Sequence, residues 1–402
     1  MWHKFVIIVA LLYIIRINTA NAACTINVNG DLGDPQPLLI RPGSTQFFNP
    51  QGTDGIIHLN DNQQLELYCS SGFASPAGIA TNSITVTCTS GNRFSYNSIA
   101  YYFNNYYCSA YPAHKARKTG GRCYNNGYEV EIGFEVGTRF LRIMTVCHNE
   151  IVEENYYAKY KLTPANVGYQ IGFPRPNFIT GDFFGGKNVD YIYSRNQQRN
   201  VIAQILNSQA RAEYYIHPTN DFFLARGHMA AKTDFIFGSQ HRATFYFLNT
   251  APQWQKFNAL NWEAIEDSSK KLAAARGLDL DVYTGVYGRC KLADESGRLH
   301  DIYLYPNGTY GAQIPVPALY YKILVDAAGD AGIVLIGVNN PYLTYEEIQR
   351  DYVICHDISS QITWSLNWQR ENIERGYSYA CSVSDFLRVV PHVSLYVTRL
   401  LV

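Results

Sequence analysis

Between Cys24 and about Tyr124, apolar and polar residues alternate over short stretches, as in Gln64-Leu65-Glu66-Leu67-Tyr68 and Ser83-Ile84-Thr85-Val86-Thr87, with Gly, Pro, Asn and Ser between them. A period of two bounded by turn residues predicts short half-buried strands, and so a small all-β domain. Past Gly127 the texture changes to longer strands (130–134, 140–146). Apolar residues at helical spacing follow: Val201, Ile202, Ile205 and Leu206 in one segment, Trp262, Ile265 and Leu272 in another. Strands mixed with helices predict an α+β domain. The shift divides the chain into an N-terminal β-rich domain, 23–125, and a second domain, 126–402. No internal repeat, low-complexity tract or coiled-coil heptad interrupts them.

The first residues follow another pattern: a basic start (His3, Lys4), an apolar run from 5 to 15, and a polar stretch closing on Ala20-Asn21-Ala22. This is the layout of a cleaved secretory signal, residues 1–22, with Ala23 as the mature start. The run is shorter than the roughly 20 residues a membrane span needs, so the expectation is a secreted protein released from the membrane. Cleavage removes Lys4 and Arg16 and no acid, which takes the formal charge from 0 to −2. Such a chain does not attract nucleic acid by net charge, and any basic field has to be local to a cleft. With 47% hydrophobic and 16% charged residues the chain is globular rather than disordered.

Nine cysteines (24, 69, 88, 108, 123, 147, 290, 355, 381) all follow the expected cleavage site, and an oxidising destination makes disulfides their default state. The odd count leaves one over. Six precede position 150, so the N-terminal third is expected to be stapled mostly within itself. No CxxC or Cys/His pair at zinc spacing occurs, which argues against a structural metal. Asn307-Gly308-Thr309, after Pro306, is a glycosylation acceptor in a turn-like setting. The basic run Lys115-Ala116-Arg117-Lys118 with Arg122 reads as a solvated loop before it reads as a phosphate-contacting or protease-sensitive one. Trp262, Trp364 and Trp368 read as packing residues and His148 as structural, while His217 fits a cleft or a loop equally.

Chemistry concentrates between Phe222 and Gly288. In Arg226-Gly227-His228 the glycine permits a bend, and an Arg and a His two residues apart on an extended segment point the same way. A polar turn, Asn249-Thr250-Ala251-Pro252-Gln253, precedes good helix formers from 261 to 276, with Gly277 where a C-terminal cap belongs. A helix starting near Asn258 puts Asn258, Trp262 and Glu266 at i, i+4 and i+8, and Lys270 one turn further. The helix alone reads as an asparagine cap with an exposed polar stripe. Its combination with the Arg-Gly-His segment is what points to a site.

In this order and spacing, Arg226-Gly227-His228, Asn249-Thr250-x-Pro252-Gln253, Asn258-x₃-Trp262-x₃-Glu266 and Asp281-Val282-Tyr283-Thr284-Gly285-x-Tyr287-Gly288 resemble the DNA/RNA non-specific endonucleases of the ββα-metal type. The resemblance covers about 126–402. It is nearest to secreted arthropod members, including double-stranded ribonucleases of insect gut and saliva, which also carry an extra N-terminal β-rich region. It implies an α+β nuclease domain with a central antiparallel sheet flanked by helices, preceded by a small disulfide-containing all-β domain. The implied activity is Mg²⁺-dependent hydrolysis of DNA and RNA, single- or double-stranded, with little sequence preference and 5′-phosphate products, Mn²⁺ being a substitute ion. The alternative is a catalytically weak nucleic-acid-binding protein of the same fold.

The resemblance also implies roles. His228 is the general base, a task suited to a side chain with an ordinary pKa near neutrality. Asn258 holds the metal through its side-chain oxygen, with waters completing the shell. Glu266 orients those waters, Arg226 meets the phosphate with a bidentate fork, and Asn249 supports the constellation from behind. Lys270, where many members have Arg, is expected at the phosphate. A second arginine from upstream is expected as well, with Arg175, Arg195 and Arg199 as candidates. Ala225 replaces the Asp usual before Arg226, a departure shared by the arthropod members.

Overall fold

The computed structural model describes residues 23–402, so the expected signal, 1–22, lies outside the described residues. The fold is mixed α+β. Its centre is a nine-stranded sheet, antiparallel but for one short parallel strand. Its spatial order is Lys115–Arg122, Tyr128–Val136, Arg139–Asn149, Glu154–Leu162, Leu280–Tyr287, Leu319–Asp326, Ala331–Val338 and Ser378–Cys381, with Arg399–Leu400 beside Ala331–Val338. The strands Leu319–Asp326 and Ala331–Val338 are buried almost throughout, which explains their unbroken apolar runs. One face carries the helices Arg195–Leu206 and Glu263–Arg276, and the other is partly covered by the C-terminal segment around Val383–Leu387. No helix among the described residues is long and apolar enough to cross a membrane.

The N-terminal part is all-β, with a five-stranded sheet ordered Leu38–Ile40, Gln64–Tyr68, Ser83–Ser90, Arg93–Tyr96 and Ile99–Tyr102. Disulfides Cys24–Cys88 and Cys69–Cys108 lie within it, Cys123–Cys147 and Cys355–Cys381 lie in the second domain, and Cys290 is free and buried. The run Lys115–Arg122 is not a loop. It forms the edge strand of the large sheet, so the N-terminal unit closes before Lys115 rather than at 125. Its cations are paired across the sheet, Lys115 with Glu135, Arg117 with Glu131 and Lys118 with Glu150, as suits an exposed edge.

The two units share a core. Leu38 and Ile40 pack into the core of the large sheet, and Ile236 and Phe237 of the second domain are buried in that of the first. Phe47 sits edge-on to Phe134 at 5.9 Å and against Phe237 at 6.3 Å. One polar link is Arg139, whose fork grips both oxygens of the buried Glu66 carboxylate. Burial alone would raise the Glu66 carboxyl, but Arg139, Ser83 and the Gly43 N–H outweigh it and hold it below its ordinary value. The pair therefore contributes fully above the ordinary carboxylate range and is lost as pH falls through the folded value. Arg139→Ala should lower unfolding free energy by about 2 kcal/mol near pH 7, since it leaves a buried carboxylate short of donors. The difference should shrink as pH drops below the carboxylate range. Denaturant titration of both proteins at the two pH values measures it, and equal differences would rule the pairing out.

Candidate active site

The Arg-Gly-His segment is the strand Leu224–His228, paired antiparallel with Thr250–Trp254 so that His228 faces Thr250 and Arg226 faces Pro252. This two-stranded ribbon lies apart from the large sheet and is pinned to it. Asn155 Nδ2 donates to the carbonyls of Phe247 (2.9 Å) and Thr250 (2.8 Å), the Tyr320 hydroxyl donates to Ala251 O (2.7 Å), and Asn339 Nδ2 donates to Pro252 O (3.1 Å). Gly227 owes its identity to this close approach rather than to a bend. A Cβ there would stand 2.3 Å from Gln253 Oε1 and 2.8 Å from the Tyr320 hydroxyl, and its φ is not positive.

The helix begins differently from its sequence pattern. Residues Asn258–Trp262 form a π-turn that runs into the α-helix Glu263–Arg276, the kind of irregularity common where helices carry function. The wider turn separates residues that a regular helix would align. Asn258, Glu263 and Glu266 face the cleft, while Trp262 is fully buried, edge-on to Tyr320 at 5.3 Å and to Phe257 at 5.6 Å. Asn261 anchors the turn: its Nδ2 donates to Gln369 O (3.0 Å) and Gly376 O (2.7 Å), and its Oδ1 accepts from Gln369 N (2.9 Å).

Four of the expected residues, Arg226, His228, Asn258 and Glu266, line one cleft of about 440 Å³, joined by Arg175, Lys232 and Glu263. His228 stands between Phe178 (5.2 Å between ring centres) and Phe245 (5.0 Å), and its Nε2 is buried without a hydrogen-bond partner. Burial first, then the positive charge of Arg175, pushes its pKa down to about 3, so the ring is neutral with a free lone pair near neutral pH. Arg226 lies over the rings of Tyr193, Phe178 and Phe247 and donates to Asp190 Oδ1 at 2.6 Å. Burial and the neighbouring Asp234 raise the Glu266 carboxyl to about 8 against the pull of Lys322 and Lys270.

Asn249 lies behind the cleft, fully buried. Its Oδ1 accepts from Ala230 N (2.9 Å), its Nδ2 donates to Ala230 O (2.9 Å) and Thr244 O (3.0 Å), and its own carbonyl takes the Met229 N–H (3.0 Å). The chain leaving His228 is thereby fixed. Lys270 departs from expectation. It does not line the cleft but is buried beneath it, donating to Thr233 Oγ1 (2.6 Å) and lying 3.6 Å from Asp234 Oδ1, where that buried carboxylate offsets the cost of enclosing its ammonium. Of the three candidate arginines only Arg175 lines the cleft. Arg195 donates to the carbonyls of His217 and Asn220, and Arg199 to Asn196.

Beneath the site lies a buried charge network that the sequence pattern does not reveal. Asp234 accepts from the Tyr160 hydroxyl (2.6 Å) and lies 3.3 Å from the ammonium of Lys322, both fully enclosed. Burial would raise the Asp234 carboxyl, but Lys322, Lys270 and the Tyr160 hydroxyl hold it below its ordinary value. His148 is structural, bonded to Asn155 Oδ1 (2.7 Å) and Phe183 O (2.9 Å), and His217 is a loop residue accepting from Thr219 N.

A strand pair running into a helix, set on a large sheet and bringing an imidazole, an amide, two carboxyls and two guanidiniums to one cleft, is the frame of a nuclease. The chain belongs to the DNA/RNA non-specific endonuclease family, whose model matches residues 120–386. It is similar to a salivary endonuclease of Lutzomyia longipalpis, 23% identical over 88% of this chain and 80% of that protein. It is also similar to the salivary proteins Tsal2A and Tsal1 of Glossina morsitans morsitans. Each is 23% identical, over 92% of both chains for Tsal2A and 96% of both for Tsal1. Among solved structures it matches a chain of the EndoG/EndoGI complex at 18% identity and a TM-score of 0.34, over 52% of this chain and 80% of that one.

Proposed function

We propose that this chain is a secreted, Mg²⁺-dependent endonuclease that hydrolyses the backbone of DNA and RNA, double-stranded RNA included, with little sequence preference and leaving 5′-phosphate ends. The observation that carries the reading is the convergence of His228, Asn258, Glu266, Arg226 and Arg175 on one cleft. Four disulfides and the salivary names of the relatives support an extracellular setting, saliva or gut lumen among them.

The donor set fits a hard, strongly hydrated ion. Asn258 supplies a neutral oxygen, and Glu263 and Glu266 on the same cleft accept hydrogen bonds from waters rather than enclosing an ion themselves. Mg²⁺ held there would neutralise the scissile phosphate and steady the departing 3′ oxygen. His228, whose ring lines the cleft, takes the proton of the attacking water. Burial and the field of Arg175 hold its pKa low, and the negative charge of a bound phosphate opposes that field. Arg175 and Arg226 bind the phosphate oxygens and stabilise the charge that grows in the transition state. Asn249 keeps His228 at its station by fixing the next two residues.

Digestion of supercoiled plasmid and of long double-stranded RNA by the mature protein, with Mg²⁺ or with EDTA and beside Asn258→Ala, tests the reading. Both polymers should be cut only with metal, and Asn258→Ala should need far more Mg²⁺ while keeping its circular dichroism. No cleavage of either polymer by folded protein would leave a nucleic-acid-binding protein instead. Full activity of Asn258→Ala would remove Asn258 from the metal.

A further inference from the structure

We propose that the N-terminal domain serves as the frame of the active site: it holds the loop 169–178 and, through it, the Arg175 guanidinium over the cleft. The inference rests on the reading of Arg175 as a phosphate-binding group. The loop has no helix or strand of its own, yet it delivers two cleft residues, Arg175 and Phe178. Arg175 is exposed and, among the described residues, has no hydrogen-bond partner that would set its place. Its position therefore follows from the path of the backbone that carries it.

That path is fastened at its start by the N-terminal domain. Asn29 clasps it in both directions: its Nδ2 donates to Tyr169 O at 3.3 Å, and its Oδ1 accepts from Ile171 N at 2.8 Å. Immediately upstream, the backbones of Gly55 and Gly168 meet so closely that a Cβ on Gly168 would stand 2.5 Å from Gly55 N. Further on, Tyr111 sets its ring edge-on to Phe173 at 5.4 Å, and the Arg242 guanidinium caps the Tyr111 ring at 4.7 Å. The second domain holds the loop from below, with Gln170 N donating to Ile236 O (2.8 Å) and Lys232 donating to Phe173 O. Phe237, next to Ile236, is itself buried in the core of the N-terminal domain. A tethered accessory module would meet its neighbour through a small polar interface. This one shares its core and also holds an active-site loop.

A double-mutant cycle in the full mature chain tests the proposal, with kcat, KM and thermal stability measured for Asn29→Ala, Arg175→Ala and the pair. Arg175→Ala should lower kcat about a hundredfold, the scale of losing one preorganised donor to the transition state. Asn29→Ala should lower it about tenfold, the scale of a misplaced catalytic group, with KM and melting little changed because Asn29 is exposed. In the pair the Asn29 substitution should cost nothing further, since the group it positions is gone. If Asn29→Ala melts early, Tyr111→Leu, which removes the ring edge on Phe173 together with the Arg242 contact and the hydrogen bond to Asp34, is read in its place. Wild-type kcat in both clasp variants, or losses that multiply in the pair, would overturn the proposal while Arg175→Ala remained slow. Wild-type kcat in Arg175→Ala would instead remove Arg175 from the site and the proposal with it.

Discussion

His228→Ala should lower the rate of phosphodiester cleavage by a factor of about 10³ or more, because it removes the proposed general base and leaves only binding and electrostatic help. The fold should survive. The ring makes no hydrogen bond at Nε2, stands between Phe178 and Phe245 and lines an open cleft, so truncation removes contacts there rather than in a closed core. Single-turnover cleavage of plasmid with saturating Mg²⁺, beside thermal melts of both proteins, measures this. A variant that still cuts within tenfold of wild type would take His228 out of the chemistry. A variant that is slow only because it is unfolded would show it in the melt.

Loss of the Asp234 carboxylate should have the largest effect on stability. Asp234→Ala leaves the Lys322 ammonium fully buried beside Tyr160 and Thr284, and takes from Lys270 the carboxylate nearest its ammonium. Removing one partner of a buried ion pair costs about 3–5 kcal/mol, because the remaining charge stays away from water. The paired change Asp234→Ala with Lys322→Met, which removes the stranded charge at similar volume, should recover a large part of that loss. Urea unfolding of the three proteins decides it. A single variant within about 1 kcal/mol of wild type, the scale of an exposed pair, would mean the network does not carry the charge as described. The network joins three pieces of chain: the turn after His228, the helix carrying Glu266, and the central sheet. Its integrity therefore sets the distance between His228 and the helix carrying Glu266.

Local pattern determined much of this protein. Alternation over 64–68 and 83–87 became the strands Gln64–Tyr68 and Ser83–Ser90, and the helix formers from 261 to 276 became Glu263–Arg276, ending at Gly277 with a positive φ. These depend on neighbours a few residues away, which the sequence displays directly. The order and spacing of four short motifs likewise pointed to the family, and to His228, Arg226, Asn258 and Glu266 as residues of one cleft.

What the sequence left undecided depends on long-range contacts. It offered three upstream arginines, and only the path of an unpatterned loop, clasped by Asn29 some 140 residues earlier in the chain, chose Arg175. It aligned Lys270 with Asn258, and the buried carboxylate of Asp234, brought in from a distant turn, holds that lysine beneath the cleft instead. It read Gly227 as permitting a bend, whereas Gln253 and Tyr320 leave no room for a side chain. Lys322 sits in an apolar run, and its burial is possible only because Asp234, 88 residues away in sequence, arrives to pair with it. Periodicity records which face of an element is apolar. Which buried charge finds its partner, and which loop is held over a cleft, is decided when distant segments pack against one another.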